Sequence, residues 1–365
     1  MSALSIAHVS TQRGWHGGEE QARLLCEGLR KRGHRNLIFA RHDGKFAERM
    51  QADGFDVHRL AGSGRGLRAI WQMRRAWKSL RPAVIHFHDP HALSGGGLAA
   101  YGLGIPARVM ARRVDFPIRS PWRYRHLVDR VIAVSSAVAD VCRKSGVPNE
   151  KIRVVLDGVD PLRAQSGDRK RGRTSLNVPD SLAVLLTVAT LTDHKGHKYL
   201  IEAMHAVEKK LGDKVQLFLA GDGELRQQLG ALADQQHLEH AIRFLGFRDD
   251  VPDLLKAADL FVLPSHMEGL CSTLIDVMMA RTPIVATTAG GIPDLVGKLD
   301  GEPEVAILVP AKDPQALSAA ILTGLTDRDA LRPMIDRAEK RALAQFTDDQ
   351  MVEGTLSVYR ELAPR

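Results

Sequence analysis

Short apolar runs rich in β-branched residues recur along the chain, separated by longer segments in which apolar positions return every three to four residues. That alternation predicts a βαβα order, and so mostly parallel sheets covered by helices on both faces. Two such series are visible. The first places strands at residues 4–9, 36–39, 84–88, 107–110, 130–134 and 152–155, with a helix over about 18–32 after the first strand. The second places strands at 183–189, 215–220, 242–245, 260–264, 283–287 and 306–309. Between them the polar, basic, turn-rich stretch 165–179 reads as an exposed interdomain connection. The pattern therefore predicts two Rossmann-like, doubly wound parallel-sheet α/β domains, 1–165 and 166–345. A C-terminal helix over 346–365 could pack back on the first domain, a placement its sequence leaves open.

Length agrees with two domains, since 365 residues exceed what one core usually serves. No apolar run approaches the roughly 20 residues of a membrane span. The first residues lack a basic start followed by an apolar signal core, so a cytoplasmic protein is expected. Three separated cysteines, Cys26, Cys142 and Cys271, speak against a disulfide framework or zinc cluster. Charge changes the picture more. The chain carries +8 overall, but residues 1–163 hold 28 Lys and Arg against 14 Asp and Glu, a net of +14, leaving −6 for the remainder. An anionic partner of the first half is implied: nucleic acid, an anionic membrane surface or a phosphorylated acceptor.

Two strand-turn-helix segments carry candidate chemistry. In residues 264–276, PSHMEGLCSTLID, Gly269 is expected to open a helix whose free N–H groups, with those of Leu270 and Cys271, form an anion site suited to a diphosphate. Glu268 can present a carboxylate to sugar hydroxyls, and Asp276, two turns on, can accept from a ribose. In isolation both are more readily read as favourable charges near a helix N-terminus. In residues 187–202, TVATLTDHKGHKYLIE, Lys195 could stabilise the charge growing on a departing diphosphate. Alone, a Lys-Gly turn is more often a solvated loop.

Together these segments resemble the two signature stretches of the retaining glycosyltransferases of family 4, with GT-B fold. Gly17-Gly18-Glu19-Glu20, the AGDGE of 220–224 that contains Gly221, the ADLFVLPS of 258–265 and the GGIPD of 290–294 support the likeness, which runs over nearly the whole chain. The resemblance implies two domains facing each other across an interdomain cleft, with a nucleotide-diphosphate sugar held mainly by the second. It assigns Glu268 to the transferred sugar, Asp276 to the ribose and Lys195 to the diphosphate. It places His88, from the HFHDP of 86–90, beside the transferred sugar as a catalytic residue with Glu268 and Lys195. Gly17 and Gly18 would let backbone approach the donor closely. No cofactor is implied beyond the sugar nucleotide, and no metal, because Lys195 and helix-start amides take its place.

Two departures stand out. Thr190 occupies the place of an expected arginine, which leaves Arg248, Arg13 or His194 as substitutes among the donor contacts, and Asp276 replaces a glutamate. Two basic-aromatic segments, 65–81 and 119–125, suit an anionic lipid interface, while a plain amphipathic helix packed on the sheet explains the first equally well. The glycines at 62, 64 and 66 read as a flexible loop. The expected acceptor is a glycan or lipid-linked sugar in lipopolysaccharide or envelope polysaccharide synthesis. Competing readings are a nucleotide-sugar epimerase of the same fold, or a basic anion- or nucleic-acid-binding protein with a degenerate donor site. The chain lacks a nucleic-acid-binding motif, so no nucleic-acid partner is expected. It also lacks the GxGxxG turn that an NAD-dependent oxidoreductase would need.

Overall fold

The computed structural model describes residues 3–299, 301–326 and 328–363. Two compact units are present, Met1–Gly158 with Asp348–Arg365, and Val159–Thr347. In the first, strands β1 (Ser5–Ser10), β2 (Arg35–Arg41), β3 (Asp56–Leu60), β4 (Val84–Phe87), β5 (Ala107–Arg112), β6 (Arg130–Ala133) and β7 (Ile152–Val154) form one parallel sheet in the order β3-β2-β1-β4-β5-β6-β7. In the second, β8 (Ala183–Val188), β9 (Val215–Ala220), β10 (Ile242–Gly246), β11 (Leu260–Leu263), β12 (Ile284–Thr287) and β13 (Ile307–Val309) run in the order β10-β9-β8-β11-β12-β13. Each sheet reverses its winding once, between β1 and β4 and between β8 and β11. Open parallel sheets bind ligands beyond the carboxyl ends of the strands at such points.

The central strands are continuous apolar runs because helices cover both of their faces. Leu185, Leu217, Leu219, Leu260 and Val262 of the second sheet pack with Leu200, Met204 and Val207 of the helix His197–Leu211. In the first unit, Ile6 and Val84 pack with Leu24, Leu25 and Leu29 of the helix Gly17–Lys31 and with Met351, Leu356 and Tyr359 of the helix Asp348–Leu362. The last helix thus completes the first unit's core. Gly28 makes that docking close, since a Cβ there would lie 2.4 Å from Val352 Cγ2.

Two features differ from the sequence expectation. β3 was not foreseen, because its DVHRL run is an edge strand whose Asp56 and Arg59 are exposed and only Leu60 is buried. Residues 165–179 are largely exposed, but they are not the connection between the units. The division falls earlier, after Gly158, and Arg169–Leu176 is a helix packed on the second unit. Its basic side chains are matched to acids far along the chain: Arg169 bonds Asp259 at 2.8 Å and Arg171 bonds Asp253 at 2.7 Å. Arg173 is buried and donates to the carbonyls of Leu182 and Ala257 at 2.7 and 3.2 Å. Gly167 and Gly172 lie so close to the carbonyls of Pro252 and Asp253 that a Cβ would stand 2.0 and 2.1 Å away.

Leu356 is fully buried in the first unit, whereas Leu343 is 39% exposed. Leu356→Ala is expected to cost about 2–5 kcal/mol in urea unfolding, and Leu343→Ala to stay within about 0.5 kcal/mol.

Candidate functional site

At the switch point of the second unit, the loops after β8 and β11 meet. Lys195 ends a short 3-10 turn, Asp193–Lys195, and Glu268 lies five residues beyond β11. Their side chains are paired, Nζ to Oε2, at 2.6 Å, with 16% and 8% of each exposed. Ser265 Oγ adds a contact of 3.3 Å to the same carboxylate oxygen. The two loops are tied backbone to backbone, the amides of His266 and Met267 donating to the His194 carbonyl at 2.9 and 3.3 Å.

Glycines permit this convergence. Gly196 has φ +70°, and a Cβ there would sit 2.0 Å from the Pro264 carbonyl oxygen. Gly290, with φ +52°, would place a Cβ 1.8 Å from the carbonyl oxygen of Glu268, and the neighbouring Gly291 amide donates to that oxygen at 3.0 Å. The loop after β12 therefore holds the Glu268 backbone while the loop after β8 holds its side chain.

Of the residues singled out from sequence, Lys195 and Glu268 are brought together. Gly269 does not open the helix. It lies in the preceding loop, and the helix runs Ser272–Met279 with Cys271 as an N-cap that makes no side-chain hydrogen bond. Of its first-turn amides, that of Leu274 donates to the Cys271 carbonyl at 2.9 Å, while those of Ser272 and Thr273 are too near the start to have a partner within the helix. Leu270 and Cys271 are buried, and burial pushes the Cys271 thiol up to about 12, so it stays protonated. Asp276 is buried on the same helix, with Arg163 Nη1 at 3.3 Å. Thr190 is exposed in the loop after β8. Gly221, φ +138°, is a packing glycine whose Cβ would lie 1.9 Å from the Ala189 carbonyl oxygen.

Arg248 is not gathered into this cluster. It follows β10 at the far edge of the sheet, where its guanidinium is occupied by Asp250 and by Ser175 Oγ at 3.1 Å, and the Asp250 carboxylate holds it above the ordinary arginine range. Arg13 belongs to the other unit and lies 3.5 Å from Asp43. Among the three proposed substitutes for the missing arginine, His194 alone adjoins Lys195.

In the first unit, Gly17 begins the helix that follows β1, and Gly18 faces the side chain of Arg113, whose Cδ would lie 3.6 Å from an added Cβ. Arg113 is held by Asp157 at 3.4 Å. His88 stands one residue past β4, and its neighbour Asp89 pins that loop to the end of β1 by accepting from Thr11 N and Oγ1 at 2.7 and 2.9 Å. Sequence reasoning singled out His88 but missed what surrounds it. His8 of β1 lies opposite His86 of β4 in register, and its Nδ1 is 3.0 Å from His88 Nε2. His86 Nδ1 is 2.6 Å from Tyr359 Oη. One nitrogen from each of His8, His86 and His88 lies within 4.8 Å of the others, the spacing of a potential metal ligand set. Burial lowers the His8 pKa to about 4 and holds His86 and His88 well below the usual histidine value, with Arg113 acting in the same direction on those two.

A family model described as Glycosyltransferase Family 4 matches residues 15–163, and one described as Glycosyl transferases group 1 matches residues 168–341. An uncharacterized glycosyltransferase of Methanocaldococcus jannaschii is 29% identical over 239 residues, 63% of this chain and 60% of its own length. The putative colanic acid biosynthesis glycosyltransferase WcaL of Salmonella typhimurium is 32% identical over 229 residues, 60% of this chain and 53% of its own. This chain thus spans between half and two thirds of the length of these curated relatives. The crystal structure of Anabaena HepE in complex with UDP and glucose superimposes with a TM-score of 0.84 at 22% identity, covering 98% of this chain and 100% of that one. The fold is therefore that of the GT-B glycosyltransferases.

Removing one partner of a buried ion pair strands the other. Lys195→Met should destabilise by about 3–5 kcal/mol, and the double variant Lys195→Met/Glu268→Leu should recover most of that loss in a denaturant double-mutant cycle. A double-variant loss equal to the sum of the two single-variant losses would show that the pair is uncoupled.

Proposed function

The chain belongs to glycosyltransferase family 4, and on that basis we propose that it transfers a sugar from a nucleotide-diphosphate sugar to a glycan or lipid-linked acceptor, with retention of anomeric configuration. The observation that carries the reading is the Lys195–Glu268 pair, buried at the switch point beside the start of the helix Ser272–Met279. An ammonium held in place there, with helix-start amides, neutralises a diphosphate as it leaves. Glu268 serves the transferred sugar. Asp276 serves the ribose, and its bond to Arg163 is compatible with that role because a carboxylate accepts several hydrogen bonds at once. His88 borders the transferred sugar, with Gly17 and Gly18 giving close backbone approach.

In the step itself the acceptor oxygen bonds the anomeric carbon on the face from which the phosphate departs. The glycosidic C–O bond breaks, and the acceptor proton passes to the leaving phosphate oxygen. The reading assigns charge neutralisation to Lys195 and the amides rather than to a metal ion.

The acceptor is read as part of lipopolysaccharide or envelope polysaccharide, in keeping with the WcaL likeness, and the basic first half favours an anionic surface. No helix among the described residues is long and apolar enough to cross a membrane. Peripheral docking fits better, at the inner face of the cytoplasmic membrane. The helix Leu67–Leu80 buries Ala69, Met73 and Trp77 and turns Leu67 and Trp71, 86% and 61% exposed, outward beside Arg68, Arg75 and Lys78. The adjacent helix Pro90–Ala100 and its C-cap add exposed Leu98 and Tyr101, and Arg74 ties the two helices by donating to the Tyr101 carbonyl at 2.6 Å. Apolar tips ringed by cations suit an anionic bilayer interface.

A thermal-shift series with UDP, GDP, ADP and their sugars should show a raised midpoint for one base, weakened in Lys195→Ala, and transfer by the wild type should survive excess EDTA. No shift with any nucleotide would reject the donor site, and loss of transfer in EDTA would reject the metal-independent assignment. Sedimentation with phosphatidylglycerol vesicles should capture the chain, with none captured on phosphatidylcholine. Trp71→Ser/Arg75→Ser should lower that capture at least about tenfold, roughly the loss of one aromatic anchor and one cation.

A further inference from the structure

We propose that Asn36 and His8 are positioning residues that place the ring proton of His88 on Nε2 and leave its Nδ1 as a bare acceptor. The consequence for catalysis rests on the transferase reading above, but the protonation pattern itself does not. It follows from the order of the bonds.

The Asn36 side chain lies in β2. Its Nδ2 faces two carbonyl oxygens, those of Cys26 at 3.1 Å and His34 at 3.4 Å, which only a donor can satisfy. Its Oδ1 is therefore the atom that meets His8 Nε2, at 3.0 Å, and an amide oxygen only accepts. His8 must carry its proton on Nε2. A neutral imidazole has one such proton, so His8 Nδ1 is an acceptor and the proton in its 3.0 Å contact with His88 comes from His88 Nε2. Neutral His88 then has an unprotonated Nδ1, a buried atom with no hydrogen-bond partner among the described residues. Such an atom can recognise a ligand hydroxyl by accepting its proton, and cannot donate.

The surroundings favour neutral rings. His86 lies against His88 with ring centres 4.3 Å apart and planes tilted by 32°, and is itself engaged by Tyr359 of the last helix. The field of Arg113, which is paired with Asp157, opposes a charge on His86 and His88. The same three histidines have the spacing of a metal set, but the His8–His88 contact argues for a shared proton. Two imidazole nitrogens on one tetrahedral zinc, each bonded at about 2.0–2.1 Å, stand roughly 3.3 Å apart, not 3.0 Å.

The test is a long-range proton–nitrogen NMR correlation on the full chain labelled with 15N-histidine, at pH 6 to 8, with the rings assigned from His8→Gln and His88→Gln. His8 and His88 should both be neutral and protonated at Nε2. Asn36→Leu should leave His88 in mixed tautomers, while Asn36→Gln, which keeps an amide oxygen for His8 and an amide donor for the two carbonyls, should retain the wild-type pattern. In the transfer assay Asn36→Leu should lower kcat at least about tenfold, the scale on which loss of a tautomer-setting partner acts elsewhere, and Asn36→Gln should retain most of the wild-type rate. A wild-type His88 protonated at Nδ1, a cationic His88, or one equivalent of zinc found on these rings by elemental analysis would overturn the proposal. The wild-type tautomer pattern is read without any Asn36 variant, so it decides the matter even if those variants fail to fold. It also needs no turnover, so an inactive chain with the expected tautomers would count against the transferase reading alone.

Discussion

Close approach of one backbone to another, at positions where a side chain could not fit, governs the candidate donor site. Gly196 against the Pro264 carbonyl, Gly221 against Ala189 and Gly290 against Glu268 bring together the loops that leave neighbouring parallel strands. A methyl group at any of them would stand 1.8–2.0 Å from a carbonyl oxygen, far inside van der Waals contact. All three also have a positive φ, +70°, +138° and +52°, that disfavours other residues. The Lys195–Glu268 pair is a consequence of this packing. Its 2.6 Å contact joins two loops already registered through their main chains, so forming it costs little further backbone entropy.

The first unit solves a related problem with side chains. Asp89 caps its own helix and also bonds Thr11, which fixes the end of β4 against the end of β1. The polar chain Asn36–His8–His88 crosses three adjacent strands beneath that junction. The last helix supplies Tyr359, which is buried in the hydrophobic core and bonds His86. One element thus serves stability and site geometry together, and this ties the last residues of the chain to a site first visible in residues 86–90.

What the sequence made legible follows from how local each signal is. Central strands such as β8 and β11 were readable because both faces are buried and their runs are continuously apolar. β3 was not, since an edge strand with Asp56 and Arg59 turned to water has no such run. Residues 165–179 looked like a solvated linker because the acids that neutralise Arg169 and Arg171, Asp259 and Asp253, lie more than eighty residues further on. Lys195 and Glu268 were found through two strand-turn-helix segments, yet their direct pairing was not, and the helix start was placed three residues early at Gly269. Arg248 was a guess from charge alone, and Asp250, two residues away, had already claimed it. His8 and Asn36 carry no local signal at all, because their relation to His88 is one of strand register.

Hydrogen–deuterium exchange of the full chain, with and without the nucleotide sugar that most raises its melting temperature, tests the central claim most directly. The account predicts that added protection centres on residues 190–197 and 265–274, where the Lys195 loop and the amides before and within the helix Ser272–Met279 meet the diphosphate. Protection confined to other segments, with those two unchanged, would contradict it.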